Sequence, residues 1–239
     1  MLRSRVNQLL LAGVEAAAAI VKPILNRVET RQAKDIPLER DRRALASTVD
    51  YVQRHMRHVK AVGSKYELLT LAFGQADTTG DRLICEFGVF TGSTINHLAR
   101  LTSKSIFGFD SFEGLPEAWS HRVPKGHFAL KKPPAVRHNV TLVKGWFNDT
   151  LPPFLKINPG MVAFLHIDCD LYSSTKTVFD LLEPRLAPGT VIAFDEYFNY
   201  PQWEEGEFKA FDEFIARKGL SFDFISYHCK GEQVAVILK

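Results

Sequence analysis

The chain has 239 residues, 46% hydrophobic and 24% charged, with a formal charge of +3, the balance of one globular unit with a sizeable core. So weak and scattered a basicity excludes a nucleic-acid-binding stripe, and no nucleic-acid partner is expected. Cys85, Cys169 and Cys229 lie in or beside apolar runs without framework or CxxC spacing, which points to reduced thiols and a cytoplasmic protein.

In chain order, the N-terminus "MLRSRVNQLLLAGVEAAAAIVKPI" has the basic-then-apolar look of a signal peptide, but Glu15 interrupts it and Lys22 follows too soon for a membrane span. Val6, Leu9, Leu10, Ala17, Val21, Ile24, Leu25 and Val28 recur at helical steps, so we expect an amphipathic packing or oligomer helix. No transmembrane segment is expected. Glu29 to Arg43 reads as a charged linker or exposed helix start. A helix is expected over Ala44 to Ala61 with Leu45, Val49, Val52, Met56 and Val59 on its inner face, and a second begins at the N-cap Ser64, with Glu67 three residues on. Residues 1–62 are thus expected to be a helical extension and 63–239 the main domain.

After "DTTGD", strands and helices alternate in the pattern of a parallel sheet with right-handed crossovers. Strands are expected at Leu83–Phe87, Ser105–Asp110, Val140–Lys144, Val162–Asp168 and Thr190–Asp195, and helices at Ser93–Leu101, Ser174–Leu186 and Glu207–Arg217. The runs "SFDFISYHC" and "QVAVILK" flank a tight turn and predict an antiparallel hairpin. The expected fold is α/β: a Rossmann-like, seven-stranded, mostly parallel sheet with a C-terminal antiparallel hairpin and helices on both faces.

Four stretches carry chemistry. "CEFGVFTGST" is a strand, a glycine turn and a helix start, which lets backbone approach a ligand closely; it lacks the GxGxxG of dinucleotide folds. Asp110, 24 residues after Glu86 and ending the next strand, is placed to accept hydrogen bonds from ribose hydroxyls, so the two describe a nucleoside pocket. In "VKGWFNDTLPPF", Trp146 and Phe147 offer flat surfaces for an adenine and Asn148 both a donor and an acceptor for its edge. "FLHIDCDLYSST" and "VIAFDEYFNY" bring Asp168, Asp170, Asp195 and Glu196 to one sheet edge. Carboxylates so close repel, which a hard divalent cation, a shared proton or water would relieve; oxygen-only ligation favours magnesium, manganese or calcium.

Together these motifs, in this order, resemble the class I S-adenosylmethionine-dependent O-methyltransferases, and within them the macrocin O-methyltransferase (TylF-like) family. The resemblance covers roughly Gly63 to the C-terminus. It implies cofactor contacts from Glu86, Gly88, Phe90, Thr94, Asp110, Ser111, Phe147, Asn148 and Asp168. It further implies magnesium at Asp168, Asp195 and Glu196, with Asp170 as general base. The family commonly has Asp-Asp or Asp-Asn where this chain has Asp195-Glu196, and the longer Glu shifts a ligating oxygen by about a bond length, which magnesium's near-octahedral geometry tolerates poorly.

The expected acceptor is a small-molecule hydroxyl of a sugar, phenol or other natural product, with self-association through the N-terminal helices into a homodimer or larger homo-oligomer. The aromatic and basic insertion from Phe112 to Asn139, with Trp119, His121, Arg122, His127, Phe128, Lys131 and Lys132, is expected to be an acceptor-selecting lid, His121 or His127 being an alternative base. Two other readings compete: a metal-dependent glycosyltransferase using Asp168-x-Asp170, and a non-catalytic S-adenosylmethionine-binding protein.

Overall fold

The computed structural model describes residues 13–14, 17–23, 34–120 and 123–239. Residues 13–14 and 17–23 are helical, with Val14, Ile20 and Val21 exposed; the other residues of the expected N-terminal helix, and His121 and Arg122, lie outside the described residues. No described helix is long and apolar enough to cross a membrane.

Helix α1 (Ile36–His55) starts earlier than its apolar pattern suggests. Asp35 caps it by accepting from the Leu38 amide, Pro37 suits the first turn, and the charged run before Ala44 forms its exposed face. Leu45 and Val49, expected inside, face out; Ala44 and Thr48 are buried instead. The chain then extends into the short strand β1 (Lys60–Val62), where the helix was expected to continue. Helix α2 (Lys65–Phe73) begins where expected, the Ser64 hydroxyl accepting from the Glu67 amide at 3.2 Å.

Next come β2 (Leu83–Phe87), α3 (Ser93–Leu98), β3 (Ile106–Asp110), β4 (Val140–Lys144), α4 (Phe147–Ile157), β5 (Val162–Ile167), α5 (Tyr172–Leu182), β6 (Val191–Phe194) and α6 (Glu207–Lys218), closed by β7 (Phe222–His228) and β8 (Val234–Leu238). The expected fold class stands, with eight strands rather than seven. The added one, β1, is an edge strand parallel to β7. Helix α4 escaped the sequence reading because Pro152 and Pro153 sit inside it. Each removes an amide donor; burial of Leu151 and Phe154, with Phe154 edge-on to Phe107 and Phe109, offsets that loss.

The strand order β1-β7-β8-β6-β5-β2-β3-β4 explains where a ligand can bind. From β2 the chain moves outward through β3 and β4, then returns to lay β5 on the other side of β2. The loops leaving β2 and β5 therefore diverge and open a crevice at the carboxyl ends of the strands. Both strands are buried along their whole length, as expected of parallel strands covered on two faces. Leu83, Cys85 and Phe87 pack with α4, α5 and α6, whereas Ile84 packs with α2 and α3.

Helix α1 is held to the sheet by a polar and aromatic clasp. The Tyr51 and Tyr197 hydroxyls are 3.0 Å apart, Trp203 donates to Ser47 at 2.9 Å, and the Asn199 amide donates to Thr48. The Tyr51 ring also meets Trp203, Phe208 and Phe224 edge-on. Tyr51→Ala removes that ring and orphans the buried Tyr197 hydroxyl. Chemical denaturation should show a loss of about 3 kcal/mol, and an unchanged midpoint would refute the clasp.

Candidate active site

A cleft of about 510 Å³ opens at the β2/β5 crevice. Of the residues singled out in the sequence, Gly88, Phe90, Thr94, Asp110, Ser111, Phe147, Asn148, Asp168, Asp170, Asp195 and Glu196 all line it. Glu86 does not. It lies wholly buried behind the cleft, opposite His166 in the β2–β5 ladder, with one carboxylate oxygen 2.9 Å from His166 Nδ1 and the other accepting from the Thr94 hydroxyl at 3.1 Å. Its visible work is to tie β2, β5 and α3 together.

The glycine turn is as tight as its composition suggests. Gly88 has φ +88°, and a Cβ there would lie 1.6 Å from the Asp168 carbonyl oxygen, so only glycine lets the β2 loop pass the end of β5. Asp110 fixes the next part of that loop: one oxygen accepts from the Val89 and Phe90 amides at 2.9 and 2.8 Å, the other from Phe112 at 2.7 Å. Phe90, Phe112 and Asp170 all adopt left-handed φ values near this cleft, a backbone cost that non-glycine residues accept where surrounding structure imposes it. On the far wall, Trp146 and Phe147 are half-buried and Asn148 is exposed, its amide donating to Asp149.

The acid cluster has an uneven geometry. One ligating atom each of His166, Asp168 and Asp195 lies within 4.8 Å of the others; Glu196 lines the cleft outside this set. Burial, then the charge of Asp195, raises the Asp168 carboxyl well above its ordinary value. Burial, with Asp195 and Asp110 beside it, brings Asp170 up to about 7. Burial and Glu207 raise Glu196. Two buried oxygens, Asp195 Oδ1 and Glu196 Oε2, have no hydrogen-bond partner. Hard oxygen donors, raised carboxyls and orphaned oxygens are what a divalent cation would satisfy, so these residues fit one.

Three contributors escaped the sequence reading. Glu207, fully buried at the start of α6, accepts from the Cys169 amide with one oxygen and from the Glu196 amide with the other, clamping the two acid loops together. Nothing in the sequence marked it, because a Glu in the first turn of a helix is ordinary. His166 was visible as a polar residue in an apolar strand. Burial opposes its charge, yet the hydrogen bond and charge of Glu86 hold it above the usual imidazole range. Lys65 reaches the cluster from the start of α2, its ammonium 3.4 Å from Asp195 Oδ2. Burial works against its charge, but Asp195, Asp168 and Glu196 raise it above the ordinary lysine value.

The insertion folds over the cleft mouth. Phe128 lines the cleft and meets Phe90 edge-on, Trp119 meets Tyr200, and Ser173 donates to Glu117. Asn96 anchors its far end, donating to the Ala135 carbonyl and accepting from the Arg137 amide. His127 is exposed, its ring against Phe128.

Residues 85–197, which hold both diverging loops and all four acids, match the family described as Methyltransferase domain. The matched segment is just under half of the chain. A curated relative from Streptomyces olivaceus, 8-demethyl-8-(2,3-dimethoxy-alpha-L-rhamnosyl)-tetracenomycin-C 4'-O-methyltransferase, is 36% identical over 115 residues, covering 40% of this chain and 43% of the relative. The match thus spans less than half the relative's length. The calicheamicin methyltransferase CalS11 aligns with TM-score 0.59 at 24% identity over 72% of this chain and 77% of that one, and the O-methyltransferase NovP with 0.53 at 20% over 72% and 76%. These structural likenesses establish the methyltransferase fold.

The close crossing of Gly88 and Asp168 makes one substitution decisive. Gly88→Ala should destabilise the domain by about 3 kcal/mol in denaturant titration and abolish binding of S-adenosylhomocysteine in calorimetry. Wild-type affinity in that variant would mean that the β2 loop does not form the binding surface.

Proposed function

We propose that the chain is an S-adenosylmethionine-dependent O-methyltransferase acting on a hydroxyl of a sugar or related natural-product acceptor. The observation that carries this reading is the two-sided cleft: a glycine turn, Asp110, Phe147 and Asn148 on one side, and four carboxylates on the other. The names of the similar proteins, which methylate a rhamnosyl-bearing compound or take part in calicheamicin biosynthesis, support a sugar acceptor.

In this reading Gly88, Phe90, Thr94 and Ser111 surround the methionine end of the cofactor. Asp110 receives the ribose hydroxyls in addition to the amides it already accepts, and Phe147 and Asn148 flank the adenine. The acceptor oxygen would attack the methyl carbon in line, forming the oxygen–carbon bond as the carbon–sulfur bond breaks, and because a neutral thioether leaves, no acid is needed for departure. What remains is alignment and removal of one proton, for which Asp170 is the base. Its half-buried carboxylate lines the cleft and accepts no hydrogen bond from the described residues. Asp168, Asp195 and Glu196 would hold a magnesium ion, which lowers the pKa of a bound hydroxyl as it does that of bound water. The insertion closes over the acceptor and Phe128 excludes water. The helices before residue 63 are assigned to self-association in the cytoplasm; light scattering on the full chain tests this, and a monomer would reject it.

Transfer of labelled methyl groups to a panel of sugar and phenol hydroxyls tests the activity itself. Asp170→Asn should keep S-adenosylhomocysteine affinity and lose about 100-fold or more in turnover. Full turnover in that variant removes Asp170 as base. Chelation by EDTA should depress turnover and added magnesium restore it; indifference to both rejects the metal. Binding of a nucleotide-sugar diphosphate without S-adenosylhomocysteine binding would favour a glycosyltransferase.

A further inference from the structure

Lys65 sits where local rules disfavour it. It is the first residue of α2, capped by Ser64, and a cation there opposes the positive end of the helix dipole. Its side chain is one-third exposed and turned into the cleft, where it is the only Lys, Arg or His among the described lining residues. Five carboxylates line the same space: Asp110, Asp168, Asp170, Asp195 and Glu196. His166, behind them, has its Nδ1 committed to Glu86. The Lys65 ammonium therefore faces the acids alone, and it takes Oδ2 of Asp195 while Oδ1 stays without a partner.

We propose that Lys65 is a built-in competitor for the divalent cation, so that its ammonium and the ion draw on the same carboxylates and each weakens the hold of the other. This rests on the reading of the acid cluster as a cation site. One ammonium offsets part of the charge, which keeps the domain folded without metal. It leaves two buried oxygens unsatisfied, which keeps the site able to take an ion. A divalent cation binding Asp195 meets an ammonium a few ångströms away, and must either bear that repulsion or displace the side chain toward the open cleft. The chain would then hold its metal weakly and exchange it readily.

The test is manganese binding to the full chain, read from the electron paramagnetic resonance of free Mn²⁺, beside thermal melts in EDTA and in magnesium. Lys65→Met should bind Mn²⁺ about tenfold or more tightly than wild type, melt at a lower temperature in EDTA, and gain more from magnesium than wild type does. Lys65→Arg, which keeps the charge, should bind Mn²⁺ as wild type does; if the Met variant does not fold, Lys65→Gln takes its place. Equal or weaker Mn²⁺ affinity after removal of the charge overturns the proposal, as does no binding by any of these proteins. Calorimetry with S-adenosylhomocysteine on the same samples separates the two readings. Loss of cofactor-product binding with the Mn²⁺ difference intact would count against the methyltransferase function alone, and the reverse pattern against the role of Lys65 alone.

Discussion

The charge gathered at one edge of the sheet is the constraint to which the rest of the site answers. Parallel strands deliver their carboxyl ends to a common edge, and here β3, β5 and β6 lead to acids that share one cleft. Two unit charges at the separation of Asp168 and Asp195 repel by roughly 3 kcal/mol at an effective dielectric of about 20. Among the described lining residues one ammonium, that of Lys65, stands against this repulsion. Burial raises the carboxyls of Asp168, Asp170, Glu196 and Glu207, which favours their protonated forms. A folded state that holds protons its unfolded chain would release loses stability as pH rises, until a cation replaces them.

Backbone amides do the rest of the positioning. Asp110 accepts three of them and Glu207 two, so each acid arranges a loop before any ligand arrives. Glu86 and His166 are buried beneath, joined at 2.9 Å, and Glu86 also accepts from Thr94 in the cleft wall. Buried hydrogen bonds of this kind rigidify what lies above them. The loops of β2 and β5 are thereby fixed from below by Glu86 and His166, and side by side by the contact of Gly88 with Asp168.

The sequence carried the sheet well because its central strands are continuous apolar runs bounded by glycine or acid, and β2 and β4 have the expected limits. It misjudged elements whose stability comes from elsewhere. The start of α1 reads as a charged linker because only Ala44 and Thr48 are buried. Helix α4 contains two prolines, and the three residues of β1 are strand only because β7 lies alongside. The acids of the cleft were legible as strand-end residues, whereas the direction a side chain takes was not. Glu86 looked like a ligand contact and turns inward, while Lys65 looked like a helix-start residue and turns into the cleft. Both depend on partners 80 and 130 residues away, which no local pattern records.

The two walls of the cleft differ in how much of their hydrogen bonding is already used. On the β2–β3 wall, Asp110 and Gly88 are committed to backbone geometry, so a ligand there meets a surface set in advance. On the β5–β6 wall, Asp195 and Glu196 each keep a buried oxygen without a partner, and Asp170 is held in a left-handed backbone conformation. Unsatisfied buried oxygens cost free energy in the empty state, and any cation or hydroxyl that meets them recovers it. One wall is thus set in advance and the other keeps unmet hydrogen-bonding demand, so the two differ chemically before any ligand arrives. The insertion reaches across both walls, through Phe128 against Phe90 on one and Glu117 with Ser173 on the other, so it joins the preset side of the cleft to the unsatisfied one.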